Sequence, residues 1–305
     1  MKNSLQRWLF ENHWRVKRFL PDRYFQFRFP GGRIYLNLKM HRGMLSRAFG
    51  MYEPAKMEAV LKLLRPGSTF IDVGANIGDF SLLAARVTGS AGKVLAFEPE
   101  ATNCYRIKRN IDLNGYKNIE VFQLALSDSD GEASLYLGGR CDYHSLLKDQ
   151  PEREAGVIAV KTRTLDSFLE ELGQDRVDMI KVDVEGAELE VLRGAREVLR
   201  RNPEVVLLLE LHPLMGVNPA EVCDFLRHLG LSLFQMSSQF NTPARVHKNL
   251  SEVLVCRHPP LQGGTVKSLR SGAGLPLQVT PVSHGPTMKS SVARLRGSLL
   301  SLLFH

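Results

Sequence analysis

Apolar positions recur along this chain with two periods. From Tyr24 to Leu38 they alternate on both sides of Pro30-Gly-Gly32, the pattern of a β-hairpin. Behind Glu53-Pro54 they shift to helical spacing, at Met57, Val60, Leu61 and Leu64, and Pro66-Gly67 stops that helix. Short apolar runs then alternate with helical stretches. Phe70–Val73 predicts a strand, Phe80–Arg86 a helix, Val94–Phe97 a strand, Ala101–Leu113 a helix and Asn118–Leu124 a strand. A β pair at 133–137 and 157–162 is inserted next, around a polar loop at 138–156, and Thr164 or Asp166 caps a helix to Leu172. Met179–Val182, a helix Ala187–Arg201, Val205–Leu209, a helix Ala220–Leu229 and strands near 231–236 and 253–255 complete the series. Strands and helices alternating at these lengths predict an α/β fold with a doubly wound, mostly parallel seven-stranded sheet.

One junction carries the first chemical hint. Phe70-Ile-Asp-Val-Gly-Ala-Asn-Ile-Gly-Asp-Phe80 reads as strand, glycine loop and helix, the ligand-binding corner of such folds. Gly74 and Gly78 allow a sharp turn and a close backbone approach to a ligand. Glu98 ends the next strand at the spacing where an acid meets ribose hydroxyls. The loop lacks a full G-x-G-x-x-G, since Asn76 holds the place of one glycine, and it opens with Asp72. An acid beside a pyrophosphate repels it, whereas a ligand bearing an ammonium and a sulfonium tolerates it. The expected ligand is therefore S-adenosyl-L-methionine rather than a nicotinamide dinucleotide. Leu126, in Ala125-Leu-Ser127 at the end of the third strand, is expected beside the adenine.

Charge divides the chain. Residues 1–66 carry a net +10, residues 259–305 a net +5 and the middle a net −7. The expected organisation is a basic helix-and-hairpin cap at 1–66, a ligand-binding domain at 67–258 and a basic, disordered tail at 259–305 rich in Pro, Gly and Ser. The aromatic, basic stretch Leu5–Leu20 reads as an amphipathic helix for an anionic membrane surface, or as a helix packed on the ligand-binding domain or a lid over the substrate, and the basic ends are the places for peripheral membrane contact. No run reaches membrane-spanning length, no leader pattern opens the chain, and four scattered cysteines form no C-x-x-C pair. A cytoplasmic location, extending to the inner membrane surface, is the expectation.

Ligands of open α/β sheets bind at the carboxyl ends of the strands. Here those ends offer Asp72, Glu98, the pair Asp183 and Glu185, and the pair Glu210 and His212. Methyl transfer to a hydroxyl needs a base, for which His212 has the right ordinary pKa, with Asp183 or Glu185 orienting the hydroxyl or sharing the role. The alternative is a divalent cation held by Asp183, Glu210 and His212.

Several landmarks occur in order: Tyr52-Glu-Pro54, Ile71-Asp-Val-Gly-Ala-Asn-Ile-Gly78, Phe97-Glu-Pro99, Thr164-Leu-Asp166, Ile180-Lys-Val-Asp-Val-Glu-Gly-Ala-Glu188 and Glu210-Leu-His212. Over about residues 45–257 this succession resembles the FkbM family of S-adenosylmethionine-dependent methyltransferases. The resemblance implies a class I, Rossmann-like methyltransferase fold and O-methylation of a hydroxyl on a sugar, glycolipid, polysaccharide or secondary metabolite. It also implies Asp72, Gly74, Asn76, Gly78 and Glu98 as cofactor contacts, and a small-molecule, glycan or lipid-linked acceptor rather than nucleic acid. Two other classes compete. A nucleic-acid methyltransferase suits the basic ends, but the fourth strand closes on Asp-Val-Glu-Gly and lacks the Asn/Asp-Pro-Pro-aromatic signature of base methylation. A non-catalytic binding protein on the same fold is the other.

Overall fold

The structure is a computed structural model that describes residues 22–39, 47, 52–138, 145–146, 156–236, 250–256 and 280–281. The expected helix at 5–20, most of the 138–156 loop and all of the 259–305 tail but residues 280–281 lie outside these residues. The chain divides into two compact units, Met1–Tyr52 with Lys267–His305, and Glu53–Val266.

In the first unit, β1 (Tyr24–Phe29) pairs antiparallel with β2 (Gly32–Asn37), and a two-residue strand, Thr280–Pro281, adds to β1. Alternation decides which face is buried: Phe25, Phe27, Ile34 and Leu36 are all enclosed.

The second unit opens with α1 (Pro54–Leu63). There follow β3 (Thr69–Val73), α2 (Asp79–Thr88), β4 (Lys93–Phe97), α3 (Ala101–Asn114) and β5 (Ile119–Phe122). A small sheet comes next: β6 (Ala125–Leu126), β7 (Gly131–Leu137) and β8 (Gly156–Arg163), in the order β6-β8-β7. The chain then returns through α4 (Leu165–Leu172), β9 (Met179–Val182), α5 (Glu188–Arg193), α6 (Arg196–Arg201), β10 (Val206–Glu210), α7 (Pro219–His228), β11 (Ser232–Gln235) and β12 (Glu252–Cys256).

Seven of these strands form one sheet, as the alternation of apolar runs predicted, and their order is β11-β12-β10-β9-β3-β4-β5. β12 runs antiparallel to both its neighbours, and the other pairings are parallel. The chain leaves β3 towards β4 on one side and later returns to β9 on the other. The carboxyl ends of β3 and β9 therefore flank the switch point where such sheets bind ligands. β3 and β9 are buried on both faces, so Ile71, Val73, Ile180 and Val182 fill the core with Leu207 and Leu209 of β10. Each such side chain contributes about 1.5–3 kcal/mol of burial. At the other flank Phe97 stacks on Phe122 at 5.3 Å, and Phe168 meets both rings edge-on.

Two local expectations change. The helix expected over Ala187–Arg201 is split into α5 and α6. At Gly194 the backbone presses on the Ser127 carbonyl, where an added Cβ would lie 2.0 Å from the oxygen. Asp166 then starts the second piece by accepting from the Glu197 and Val198 amides. α1 buries Lys56, Ala59 and Val60 and leaves Leu61 exposed, so its inward face is rotated from the one its apolar spacing marks. Among the described residues, no helix is long and apolar enough to cross a membrane.

Candidate active site

The corner after β3 is built from backbone. Gly74, Asn76 and Gly78 all have positive φ, of 77°, 54° and 85°. The Gly74 and Ala75 amides both donate to the Phe97 carbonyl, tying the loop to the end of β4. Gly78 leaves only 3.1 Å between its missing Cβ and Ile107 of α3, so helix and loop pack closely there. Gly74 is more constrained still: its missing Cβ would lie 1.9 Å from the Asp183 carbonyl oxygen, and the Asp183 amide donates to Val73. The loop after β3 thus lies flush against the turn after β9.

Glu98 closes this corner. Its Oε2 accepts from the Asn76 amide at 2.8 Å, and its Oε1 from the Glu100 amide and Asn103 Nδ2. Burial pushes its carboxyl up to about 7 against those hydrogen bonds. Each carboxylate oxygen takes two bonds, so Oε2 keeps one acceptor position for a ribose hydroxyl. The arrangement fits a nucleoside laid against the loop backbone and held by one buried acid.

Asp72 sits elsewhere than its sequence role suggested. It is fully buried, accepts from Ser81 Oγ at 2.6 Å and faces Lys181 Nζ at 3.8 Å, its register partner on β9. Burial pushes its carboxyl up against Lys181 and Ser81. Leu126 likewise belongs to the core, 2% exposed, on a strand of the small sheet. Its side chain packs inward.

The ends of β9 and β10 carry side chains instead. Lys181, also buried, donates to Asp183 at 3.1 Å and lies 5.2 Å over the Phe80 ring. Burial alone would drive the proton off; Asp183 and Asp72 outweigh it and hold the ammonium well above the ordinary lysine range. The same lysine, with Lys56 and His212, outweighs burial at Asp183 and holds that carboxyl well below its usual range. Lys56, turned inward from α1, pairs with Glu53 at 2.8 Å and with Glu210. Burial, Asp183 and Glu53 push Glu210 up to about 7, against Lys56.

His212 completes the group. Its Nδ1 lies 2.6 Å from Oε1 of the fully buried Glu188, and that oxygen also accepts from the Gly186 amide at 3.0 Å. Its Nε2 faces Glu185, Glu210 and Asp183 at 3.6, 3.7 and 3.8 Å. Burial alone would lower its pKa; the Glu188 hydrogen bond and the charges of Asp183 and Glu185 raise it to about 9. At neutral pH the ring carries its proton, which leaves the carboxylates as the better proton acceptors of the group. Glu185 holds a positive φ of 54°, a conformation a side chain rarely takes, and it brings the carboxylate to this face.

The structure therefore joins Asp183, Glu185, Glu210 and His212 in one place, and adds Glu53, Lys56, Lys181 and Glu188. Glu188 had a sequence signal, a third acid in Asp183-Val-Glu-Gly-Ala-Glu188. Lys56 had none, being one polar position in a helical pattern.

Several known proteins resemble this chain. The chain is 36% identical over 163 residues to Methyltransferase sdnD of Sordaria araneosa, covering 43% of this chain and 62% of that protein. It is 28% identical over 158 residues to 2-O-methyltransferase NoeI of Sinorhizobium fredii, covering 47% and 64%. With Hexuronic acid methyltransferase AglP of Haloferax volcanii it shares 30% over 161 residues, covering 53% and 62%. The matches span about three fifths of the length of these relatives. Residues 72–233, more than half of the chain, match the methyltransferase FkbM domain, from the acid of the β3 corner to the strand after α7. The chain belongs to the methyltransferase FkbM domain family.

Proposed function

We propose that the protein transfers a methyl group from S-adenosylmethionine to a hydroxyl of a sugar-bearing or other small-molecule acceptor. The observation that carries this reading is the contact of Gly74 with the Asp183 carbonyl, which sets a nucleoside corner against a turn lined by carboxylates. Bound at that corner, S-adenosylmethionine supplies an electrophilic methyl carbon on a sulfonium. The tightly turned loop backbone lies against the nucleoside and Glu98 holds it. Asp183 and Glu185 accept the hydrogen bond of the incoming hydroxyl and hold its oxygen in line with the methyl carbon. The new O–C bond forms as the C–S bond breaks, with its electron pair left on sulfur, and the hydroxyl proton passes to a carboxylate of the Asp183, Glu185 and Glu210 group. His212 and Lys56 keep those carboxylates in position.

Relatives named as a 2-O-methyltransferase and a hexuronic acid methyltransferase support a sugar hydroxyl as acceptor. The test uses radiolabelled S-adenosylmethionine with neutral sugars, hexuronates, lipid-linked glycans and small hydroxylated metabolites. Label carried into a base-stable ether on one class, and lost in Asp183→Asn while calorimetric donor binding persists, is the expected result. Donor binding without transfer to any hydroxyl, or transfer to nitrogen, would overturn it.

A further inference from the structure

His212 Nε2 faces three carboxylate oxygens and hydrogen-bonds to none of them. The separations of 3.6 Å to Glu185, 3.7 Å to Glu210 and 3.8 Å to Asp183 all exceed hydrogen-bond length. A charged imidazole in this company ordinarily closes on one carboxylate at about 2.8 Å. The ring is not loose, because Glu188, outside this set and fully buried, grips Nδ1 at 2.6 Å. An octahedral Mg²⁺ or Mn²⁺ holds neighbouring ligand atoms about 3.0 Å apart, so Glu185 and Asp183 would each close on Nε2 by roughly 0.6–0.8 Å when such an ion binds.

The sequence-derived set of Asp183, Glu210 and His212 changes in the structure. Glu53, Asp183 and Glu210 surround the Lys56 ammonium, so that trio already holds a cation. The ligand atoms of Asp183, Glu185 and His212 form a second trio, all within 4.8 Å of one another; Asp183 turns Oδ1 to His212 there and keeps Oδ2 on Lys181. A buried acid bonded to the far nitrogen of a histidine is the arrangement that orients imidazoles towards metals. Charge agrees: Glu53, Asp72, Asp183, Glu185, Glu188 and Glu210 converge here against Lys56, Lys181 and His212. Enclosed charges are paired or coordinate metals.

We propose that Asp183, Glu185 and His212 bind one divalent cation of the Mg²⁺ or Mn²⁺ type, and that neighbouring oxygens of the acceptor complete its coordination. Two carboxylates and one imidazole suit these ions, which keep several positions for water or substrate oxygens. Such a site selects acceptors with two adjacent oxygens, as in a vicinal diol or a hydroxy acid. Glu188 is a positioning residue for this site. The acceptor's place rests on the proposed methyl transfer; binding of the cation does not.

The full chain, stripped with EDTA and dialysed, is titrated with Mn²⁺ by calorimetry and by electron paramagnetic resonance, with donor binding measured in parallel. One Mn²⁺ per chain is expected, with a nitrogen coupling from the imidazole in the pulsed spectrum. Glu185→Gln and His212→Gln should abolish it, Glu188→Gln weaken it about 10–100-fold, and the exposed Glu221→Gln leave it unchanged. The nitrogen coupling of the wild-type chain decides the matter even where a variant folds poorly. Absence of stoichiometric Mn²⁺ and Mg²⁺ binding, or Mn²⁺ bound without nitrogen coupling, overturns the site. If methyl transfer then proceeds fully in EDTA, the reaction stands without the cation. Mn²⁺ bound with that coupling in a chain that transfers no methyl group upholds the site and removes the proposed reaction.

Discussion

The corner after β3 and the ends of β9 and β10 are adjoining halves of one site made from different materials. The first is backbone: three positive-φ residues, two amides on one carbonyl, and a single acid taking amide hydrogen bonds. The second is side chain: six carboxylates, two lysines and a histidine drawn from 53–56, 72, 181–188 and 210–212. A backbone cradle reads groups common to every molecule of one donor. A side-chain network has its chemistry set by each residue, and so it is the half in which a family can vary its acceptors. The two halves meet at Gly74 on Asp183 and at Lys181 between Asp72 and Asp183, which lets few changes affect one half alone.

Predictions that separate the halves start with the largest effect. Asp183→Asn should cut methyl transfer by about 10²–10⁴-fold while donor affinity changes little; calorimetry beside a labelled-methyl assay checks this, and equal loss of both would show the halves are one. Lys181→Met removes the cation that Asp72 and Asp183 share inside the protein. Breaking a buried pair costs about 3–5 kcal/mol, read as a lower urea midpoint, and an unchanged midpoint would mean the network contributes nothing to folding. Gly74→Ala places a Cβ against the Asp183 carbonyl at positive φ, a cost of about 3 kcal/mol, and should abolish donor binding.

Glu98→Gln tests the backbone half through pH. The folded-state pKa, pushed up to about 7 from an ordinary 4.5, means the folded protein keeps a proton that the unfolded chain has lost. Stability in this respect is greatest below about 4.5 and falls as pH rises through 7. The variant cannot ionise, so its urea midpoint should gain on wild type between pH 5 and pH 8, by about 1–3 kcal/mol; a constant gap would contradict the buried carboxyl. The smallest effect is expected at the exposed Arg193–Glu221 pair, where Glu221→Gln should cost under about 0.5 kcal/mol and leave transfer intact.

The backbone half was legible in the sequence because Gly74, Asn76 and Gly78 are local requirements of a turn, and Glu98 follows at a spacing one strand and one helix impose. The seven strands of the main sheet followed from the same alternation of periods, whereas their order came from the structure. Asp183, Glu185 and His212 were legible as polar endings of apolar strands. Which way Asp72 and Leu126 face was not legible, because facing direction depends on neighbours: Lys181 across the β3–β9 register for one, the core beneath the small sheet for the other.

By itself, the sequence determined the series of strands and helices, the glycine corner and which strands end in acids, since these depend on periodicity and backbone freedom within a few residues. Only the tertiary structure decided that Lys56 turns inward in place of Leu61, that α5 and α6 part at Gly194, and that Glu188 grips His212. Each of those outcomes joins residues far apart in the chain, where one buried charge or one close carbonyl outweighs the local preference of a helix.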